Sequence, residues 1–434
     1  MRIHRFKIIS NEYLITYYIT KRKEFLTMLS SLGFHTINIF QLLPLFEISQ
    51  LIKDFINYSK KTGLIQIYTT DKTGKYLPYI PDDKTKPEPT NLIINYYKKD
   101  IGIKWNICYS NNDYYKIPLF SVSAKINPKI LGGTINYLTA ATWGDLNVAI
   151  TNFNREAKRI SPLLGEFKNY SLTRLDYCIN FSINELLPGC DAEQIITLIK
   201  RSNIPRHYKE YMVYDHTSHR LRSKPGSFYI YNNSVTVNCY SKYIQLQHLS
   251  EENIKNNRPP VPEETLNKSK DIIRFEIQCK YPKAYTLSHK SCETNIHYPY
   301  KYMGLFTPDK CKEIITYYFK KIIGTGDWYS LSHAVSIIKS KNYNAQREQR
   351  LIETLKFINQ CRSVFQASQY YTGKDYVKFL NTLKELNQIN INPVTIPQNW
   401  GIKHIPNLLN TYFYKKALTL SDNIFTQIGD MSLS

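Results

Sequence analysis

Three residues of this sequence have the type and the setting for chemistry on a phosphodiester: Asp176, Tyr240 and Glu276. Each lies in a stretch that alternates apolar and polar side chains with period two, the signature of a half-buried strand. In Ser234 to Lys242, Val235, Val237 and Cys239 alternate with Thr236, Asn238, Tyr240 and Lys242. Thr173 to Phe181 sets Leu175, Tyr177, Ile179 and Phe181 against Arg174, Asp176, Cys178 and Asn180. Asp271 to Lys280 sets Ile273, Phe275, Ile277 and Cys279 against Arg274, Glu276, Gln278 and Lys280. If one antiparallel sheet holds all three, its apolar face meets a core and its other face gathers two carboxylates and a phenol among Arg174, Lys242 and Arg274. Carboxylate oxygens suit Mg²⁺ or Mn²⁺. Such an ion can polarise a phosphodiester while Tyr240 attacks it, the ion and Lys242 offsetting the poor nucleophilicity of a phenol with a pKa of about 10. The solvent side of ordinary amphipathic strands, with the acids paired to Arg174 and Arg274, would carry the same pattern, and parity alone does not choose between the two.

The elements that must position these residues follow from the rest of the chain. Residues 1–33 read as an N-terminal extension. Residues 34–288 read as an α+β, mostly antiparallel unit. It starts with a short strand from His35 to Phe40 and a helix from Leu43 to Ser59, and a loop dense in Pro and Lys follows between Thr70 and Thr90. Strand patterns resume at Ile101 to Cys108 and Phe120 to Asn127, and a helix covers Ala140 to Ile160. Asp191, with Gln194 three residues on, is an N-cap pair that opens a further helix. A basic, His-containing loop spans Pro205 to Pro225, a hairpin turns at Asn232-Asn233, and a polar insertion runs from Ser250 to Ser269. Residues 289–434 read as an all-helical C-terminal domain, with helices at Pro308 to Ile323, Ser330 to Lys339, Ala345 to Gln366 and Asp375 to Leu386. Its basic residues Lys339, Lys341, Arg347, Arg350, Lys356 and Arg362 fit a winged-helix or helix-turn-helix contact to DNA, and equally a solvated helical scaffold.

The 434 residues carry a formal charge of +22, with a pI near 9.4, which makes a polyanion the expected partner through counterion release. Eight cysteines are scattered singly, with no Cys-x-x-Cys pair, so the reading is a reduced, cytoplasmic protein without a zinc module. No apolar run is long enough for a signal peptide or a membrane span, and no Gly-x-x-x-x-Gly-Lys loop marks an ATP motor. His216 and His219 sit in a loop at ordinary spacing and are not read as metal ligands. The 36 tyrosines look like the codon bias of an AT-rich genome, so no tyrosine is singled out by abundance.

Four motifs in succession also carry a resemblance: Ile126-Asn127-Pro128, Leu172 to Asp176 (LTRLD), Val237 to Lys242 (VNCYSK) and Ile273 to Glu276 (IRFE). In order and spacing the chain resembles the rolling-circle replication initiators of bacterial plasmids and phages, over roughly residues 35 to 285. That resemblance implies a magnesium- or manganese-dependent nickase that binds origin DNA and cleaves one strand, its tyrosine held as a 5′-phosphotyrosine and a free 3′-OH left for the host polymerase. On this sequence it implies Tyr240 as nucleophile and Asp176 and Glu276 as metal ligands; Lys242 beside the tyrosine is read as assisting it, and the polar-parity cations Arg174, Arg274 and Lys280 are read as contacts to DNA. The resemblance further implies a homodimer and a recruited host helicase. The chain departs from the pattern at Asn180 and Gln278, where many relatives carry further acids, which leaves the ligand set incomplete. A non-cleaving origin- or operator-binding regulator on the same scaffold is the alternative. A mobilisation relaxase is a third reading, against which the missing histidine cluster counts.

Overall fold

Strands of Val, Ile, Phe and Tyr alternating with polar side chains cannot bury their apolar parity alone, and here they bury it together in one antiparallel sheet. The computed structural model describes residues 32–70, 75–79, 91–97, 99–110, 119–134, 137–215, 220–255, 258–290 and 302–417. In chain order the strands are β1 (Leu32–Pro44), β2 (Ile65–Thr70), β3 (Tyr76–Pro78), β4 (Asn91–Tyr96), β5 (Ile103–Ser110), β6 (Leu119–Ile126) and β7 (Ser171–Ser182). They continue with β8 (Lys209–Glu210), β9 (Met212–Asp215), β10 (Arg220–Ser223), β11 (Ser227–Tyr231), β12 (Val235–Ser241) and β13 (Ile272–Lys280). Eleven of them make the sheet, in the order β3-β2-β4-β5-β6-β1-β7-β13-β12-β11-β8, while β9 and β10 pair as a separate hairpin. The expected turn closes β11 onto β12, Asn232 Oδ1 accepting the amides of Ser234 and Val235 at 2.8 and 2.7 Å.

Helices cover one face of the sheet. Over β5 and β6 lie α1 (Leu45–Thr62) and α2 (Trp143–Ile160), which bring Phe55 and Phe153 to within 6.1 and 5.3 Å of the buried Trp105 ring. Over β11 and β12 lies α3 (Ala192–Lys200), opened by the expected capping box between Asp191 and Gln194. Two helices the sequence reading did not separate follow β12: α4 (Lys242–Lys255) and α5 (Glu263–Ser269), inside what was expected to be a strand end and a polar insertion. After β13 come α6 (Tyr281–Lys290) and α7 (Pro308–Ile322).

The core runs without a break across position 288. Helix α7 lies on the apolar face of β1, β7 and β13, with the Phe319 ring 6.1 Å from Phe181 and 5.3 Å from Phe275. An aromatic seam, Phe153–Phe167–Phe306–Phe34–Tyr177, joins the two halves of the sheet through successive ring contacts of 5.7 to 6.1 Å. Because α7 supplies the apolar cover of β1, β7 and β13, Phe319→Ala is expected to remove about 3–5 kcal/mol of stability in the same unfolding transition as the sheet. Urea denaturation followed by circular dichroism measures it; a loss below about 1 kcal/mol would mean that the C-terminal helices pack without supporting the sheet.

Beyond α7 the chain forms α8 (Leu331–Ser340), α9 (Ala345–Cys361), α10 (Val364–Ser368) and α11 (Gly373–Gln388), with a second small core around Ile338, Leu355 and Leu386. The single helix expected from Ala345 to Gln366 is broken at Arg362, whose φ of 63° no helix accommodates. Nor is this region purely helical, since β14 (Trp328–Tyr329) pairs with β15 (His404–Ile405). Two members of its expected basic face are neutralised internally, Arg347 and Arg350 both binding Glu385 at 3.2 and 2.7 Å.

The remaining differences are local. The first strand is thirteen residues long rather than six, and Leu32 and Gly33 of the supposed extension belong to it. The other residues of that extension, and most of the Thr70 to Thr90 loop, lie outside the described residues, although Tyr76–Pro78 of that loop forms the sheet edge. Among the described residues no helix is long and apolar enough to cross a membrane.

Candidate functional site

Opposite the helices, the polar parities of β7, β12 and β13 come together as the alternation requires. In register, Asp176 faces Gln278, Glu276 faces Cys178 on one side and Asn238 on the other, and Tyr240 faces Arg274. The three residues expected to do chemistry therefore converge, but in a covered pocket rather than on an open face. Asp176 is 0%, Glu276 2%, Arg274 2%, Lys242 4% and Tyr240 9% exposed. Part of the cover is the segment around 137–142, which is fastened to β1 by paired backbone hydrogen bonds between Phe34 and Ala141 of 2.9 and 3.0 Å. Gly33 permits that crossing, because a Cβ there would stand 2.2 Å from the Ala141 carbonyl oxygen.

The polar groups in the pocket are closely matched. Arg174 grips Asp176 with both arms, at 2.7 and 2.6 Å. Arg274 donates to Asn180 Oδ1 at 2.8 Å and to the Thr139 carbonyl at 3.3 Å, and Asn180 Nδ2 donates to the Leu138 carbonyl. Gln278 donates to Glu276 Oε1 at 2.9 Å, while the Tyr240 hydroxyl donates to Glu276 Oε2 at 3.3 Å. Asn180 and Gln278, the departures from the family pattern, thus serve as donors: an acid at 278 would set a second negative charge against Glu276.

The residue that the sequence reading missed is His35. In an unbroken strand it would share a face with Ile37 and Ile39. Instead β1 bulges here, Phe34 pairing with Tyr177 and Ile37 with Leu175, so that His35 and Thr36 together oppose the single residue Asp176. The bulge turns His35 onto the polar side, where its Nδ1 stands 3.3 Å from Glu276 Oε2. No sequence signal marks a bulge of this kind; a histidine at the head of the first strand was the only trace.

His35, Asp176 and Glu276 offer one nitrogen and two carboxylate oxygens, all within 4.8 Å of one another. The donor set fits a divalent cation. Burial, with the nearby charges of Arg274, Lys242 and Arg174, lowers the His35 ring to a pKa of about 4, leaving its nitrogen lone pair free at neutral pH. Burial also pushes the Asp176 carboxyl up to about 7 against the pull of Arg174, as expected of an acid closed in beside Glu276. For Glu276 burial works in the same direction, but His35, Gln278 and the two arginines outweigh it and hold its carboxyl low. Two carboxylates with one imidazole are a donor set that Mn²⁺ or Mg²⁺ could take.

Tyr240 is held protonated, its pKa raised well above 10 by burial and by the Glu276 charge. Lys242 is not on the strand face at all. Strand β12 ends at Ser241 and Lys242 opens α4, its amine donating to Gln245 at 2.8 Å, with burial and the Arg274 charge lowering its pKa well below the usual lysine range. Lys280 lies further out and is half-buried, its amine on the Asn232 carbonyl at 2.7 Å.

No family model matches this chain, and no curated protein matches its sequence. Among solved structures its fold is similar to the rolling circle replication initiator protein from Geobacillus stearothermophilus, at 9% identity and a TM-score of 0.26, over 60% of this chain and 78% of that one. So loose a superposition supports no inference about this protein. The site stands on its own geometry: His35, Arg174, Asp176, Lys242, Arg274 and Glu276 gather at β1, β7, β13 and the first residue of α4, and four of the six, Asp176, Lys242, Arg274 and Glu276, are buried.

Proposed function

We propose that the protein is a replication initiator that nicks one strand of DNA by transesterification onto Tyr240, with a divalent metal held by His35, Asp176 and Glu276. The observation that carries this reading is the hydrogen bond from the Tyr240 hydroxyl to Glu276 Oε2, the same oxygen that approaches His35. It sets a candidate nucleophile at the edge of a candidate metal site, on motifs that resemble those of rolling-circle initiators. A bound ion would supply electrophilic polarisation of the scissile phosphate. Tyr240 Oη forms the new bond to phosphorus as the bond from phosphorus to the 3′ oxygen breaks, and Glu276 Oε2 is the nearest acceptor for the phenolic proton. Arg174 orients Asp176, and Arg274, spent on Asn180 and Thr139, holds the cover segment to the sheet rather than reaching DNA.

A second reading is supported by a particular contact. Both Asp176 oxygens are engaged by Arg174 and the residue is fully buried, as expected of a scaffold that binds DNA without cutting it. The two part experimentally. Supercoiled plasmid carrying the protein's own coding region is expected to be relaxed in the presence of Mg²⁺ or Mn²⁺ but not of EDTA, with label from an origin oligonucleotide retained on the protein in a denaturing gel. Tight, specific binding without any covalent product would establish the regulator instead.

A further inference from the structure

One register row of the polar face carries a pattern that the catalytic reading does not use. Lys104 on β5 lies directly opposite Lys125 on β6, Lys125 opposite Asn38 on β1, Asn38 opposite Arg174 on β7, and Arg174 opposite Lys280 on β13. Four cations thus cross five adjacent strands in a straight line. At about 4.8 Å per strand the line is about 19 Å long. Each end reaches an aromatic ring: Lys104 Nζ is 5.5 Å from the Tyr76 ring centre and Lys280 Nζ 5.6 Å from that of Tyr231.

A sheet would not choose this row for stability, since like charges directly opposite each other on neighbouring strands destabilise the pairing, and here two such pairs occur. Crowding is felt at Lys125, whose pKa is lowered by burial and by Arg174 and Lys104. The row also runs beside the acid pair, with Asp176 two residues from Arg174 along β7 and Glu276 four residues from Lys280 along β13. Near its Lys104 end it borders a cleft of about 700 Å³ lined by His35, Tyr68, Tyr76, Lys125 and, from the segment after α4, Arg258.

We infer that this row is a track for single-stranded DNA, laid across the sheet perpendicular to the strands, with phosphates over Lys104, Lys125, Arg174 and Lys280 and unpaired bases on Tyr76 at one end and Tyr231 at the other. The inference rests on the proposed DNA-nicking function and adds the path of the strand to it. Three features select a single strand. Tyrosine faces at the two ends can stack only on bases that are not paired. The cleft, lined by Lys104, Lys125 and His35, leads from the row to the candidate site, as a path for one extended strand requires. The closely spaced cations match a backbone with one charge per nucleotide.

The test is binding alone, in EDTA, so that it does not depend on cleavage. An oligonucleotide of about a dozen thymidines is titrated by fluorescence anisotropy across a range of salt. Replacing Lys104 and Lys125 together by Gln is expected to make the log–log salt slope shallower by about 1.4, two phosphates at about 0.7 each. Tyr76→Leu is expected to weaken binding at least about fivefold, the lower end for loss of one stacked base. The exposed pair Lys268→Gln with Lys378→Gln, each already paired within its own helix, serves as the charge control and should leave the slope in place. An unchanged slope in the Lys104/Lys125 variant, an equal change in the control, or a duplex bound as tightly as the single strand would overturn the track. Failure of the nicking reading looks different: the wild-type chain would bind the oligonucleotide with these residue dependences and still form no covalent product when metal is added.

Discussion

Phenylalanine at Tyr240 is expected to abolish the covalent protein–DNA product while leaving folding and single-strand affinity at parental levels. The ring fills its place on β12 between β11 and β13, and Phe retains that packing. Only the hydroxyl is removed, together with its hydrogen bond to Glu276. With the nucleophilic oxygen gone, the rate should fall by about 10⁴-fold or more, to the limit of detection. Tyr229 and Tyr243 are the controls, and phenylalanine at each should leave the rate within about threefold of the parent. A labelled oligonucleotide resolved on a denaturing gel reads the outcome. Label that remains attached in Tyr240→Phe would move the nucleophile to another residue.

The second large effect concerns the ion. Glu276→Gln and His35→Ala each delete one of three donors, and each is expected to lower manganese affinity at least about tenfold and cleavage at saturating DNA by about a hundredfold or more. Manganese binding is measured directly by calorimetry or by the electron paramagnetic resonance signal of the free ion, so it needs no active enzyme. The two variants also separate ligation from structural support. Glu276→Gln leaves a neutral amide of the same shape beside Tyr240, whereas His35→Ala empties the bulge of β1 and leaves every residue of β7, β12 and β13 in place. Normal manganese affinity in His35→Ala would remove His35 from the ligand set and leave only the two carboxylates.

Much of this site was legible before any coordinates. Period-two alternation fixed which of Asp176, Tyr240 and Glu276 share a face, because a strand offers only two faces and the apolar parity claims one of them. What alternation cannot reveal is what lies over the other face. The segment around Thr139, with Leu138 and Thr139 accepting from Asn180 and Arg274, comes from a connection that looks unremarkable as sequence and turns a surface into a pocket. His35 was hidden because one extra residue in β1 inverts its side, and parity rules hold only within an unbroken ladder. Lys242 was misassigned for the opposite reason. The alternation of β12 continues by chance into the first residue of α4, and that helix buries only Lys242 and Leu246, too few to register an apolar stripe. Helix α7 was recognised as a helix, but nothing in its amphipathic pattern says that the surface it meets is shared by strands as far apart in the chain as β1, β7 and β13.

The position of β13 also has a consequence in time. This strand sits between β7 and β12 although it is made after both, so during synthesis Asp176 and Tyr240 ride on strands whose shared neighbour does not yet exist. Glu276 arrives with β13, and the apolar cover of that strand arrives only with α7. At about 5–20 residues per second, the ribosome needs about 4 to 16 s to pass from the end of β12 to the end of α7. Until β13 has been made the nascent chain holds two unpaired strand edges and an incomplete site, and until α7 follows the apolar face of β13 lacks its cover. On the proposed nicking function, the chain gains competence only after β13 has brought Glu276 and α7 has covered the sheet.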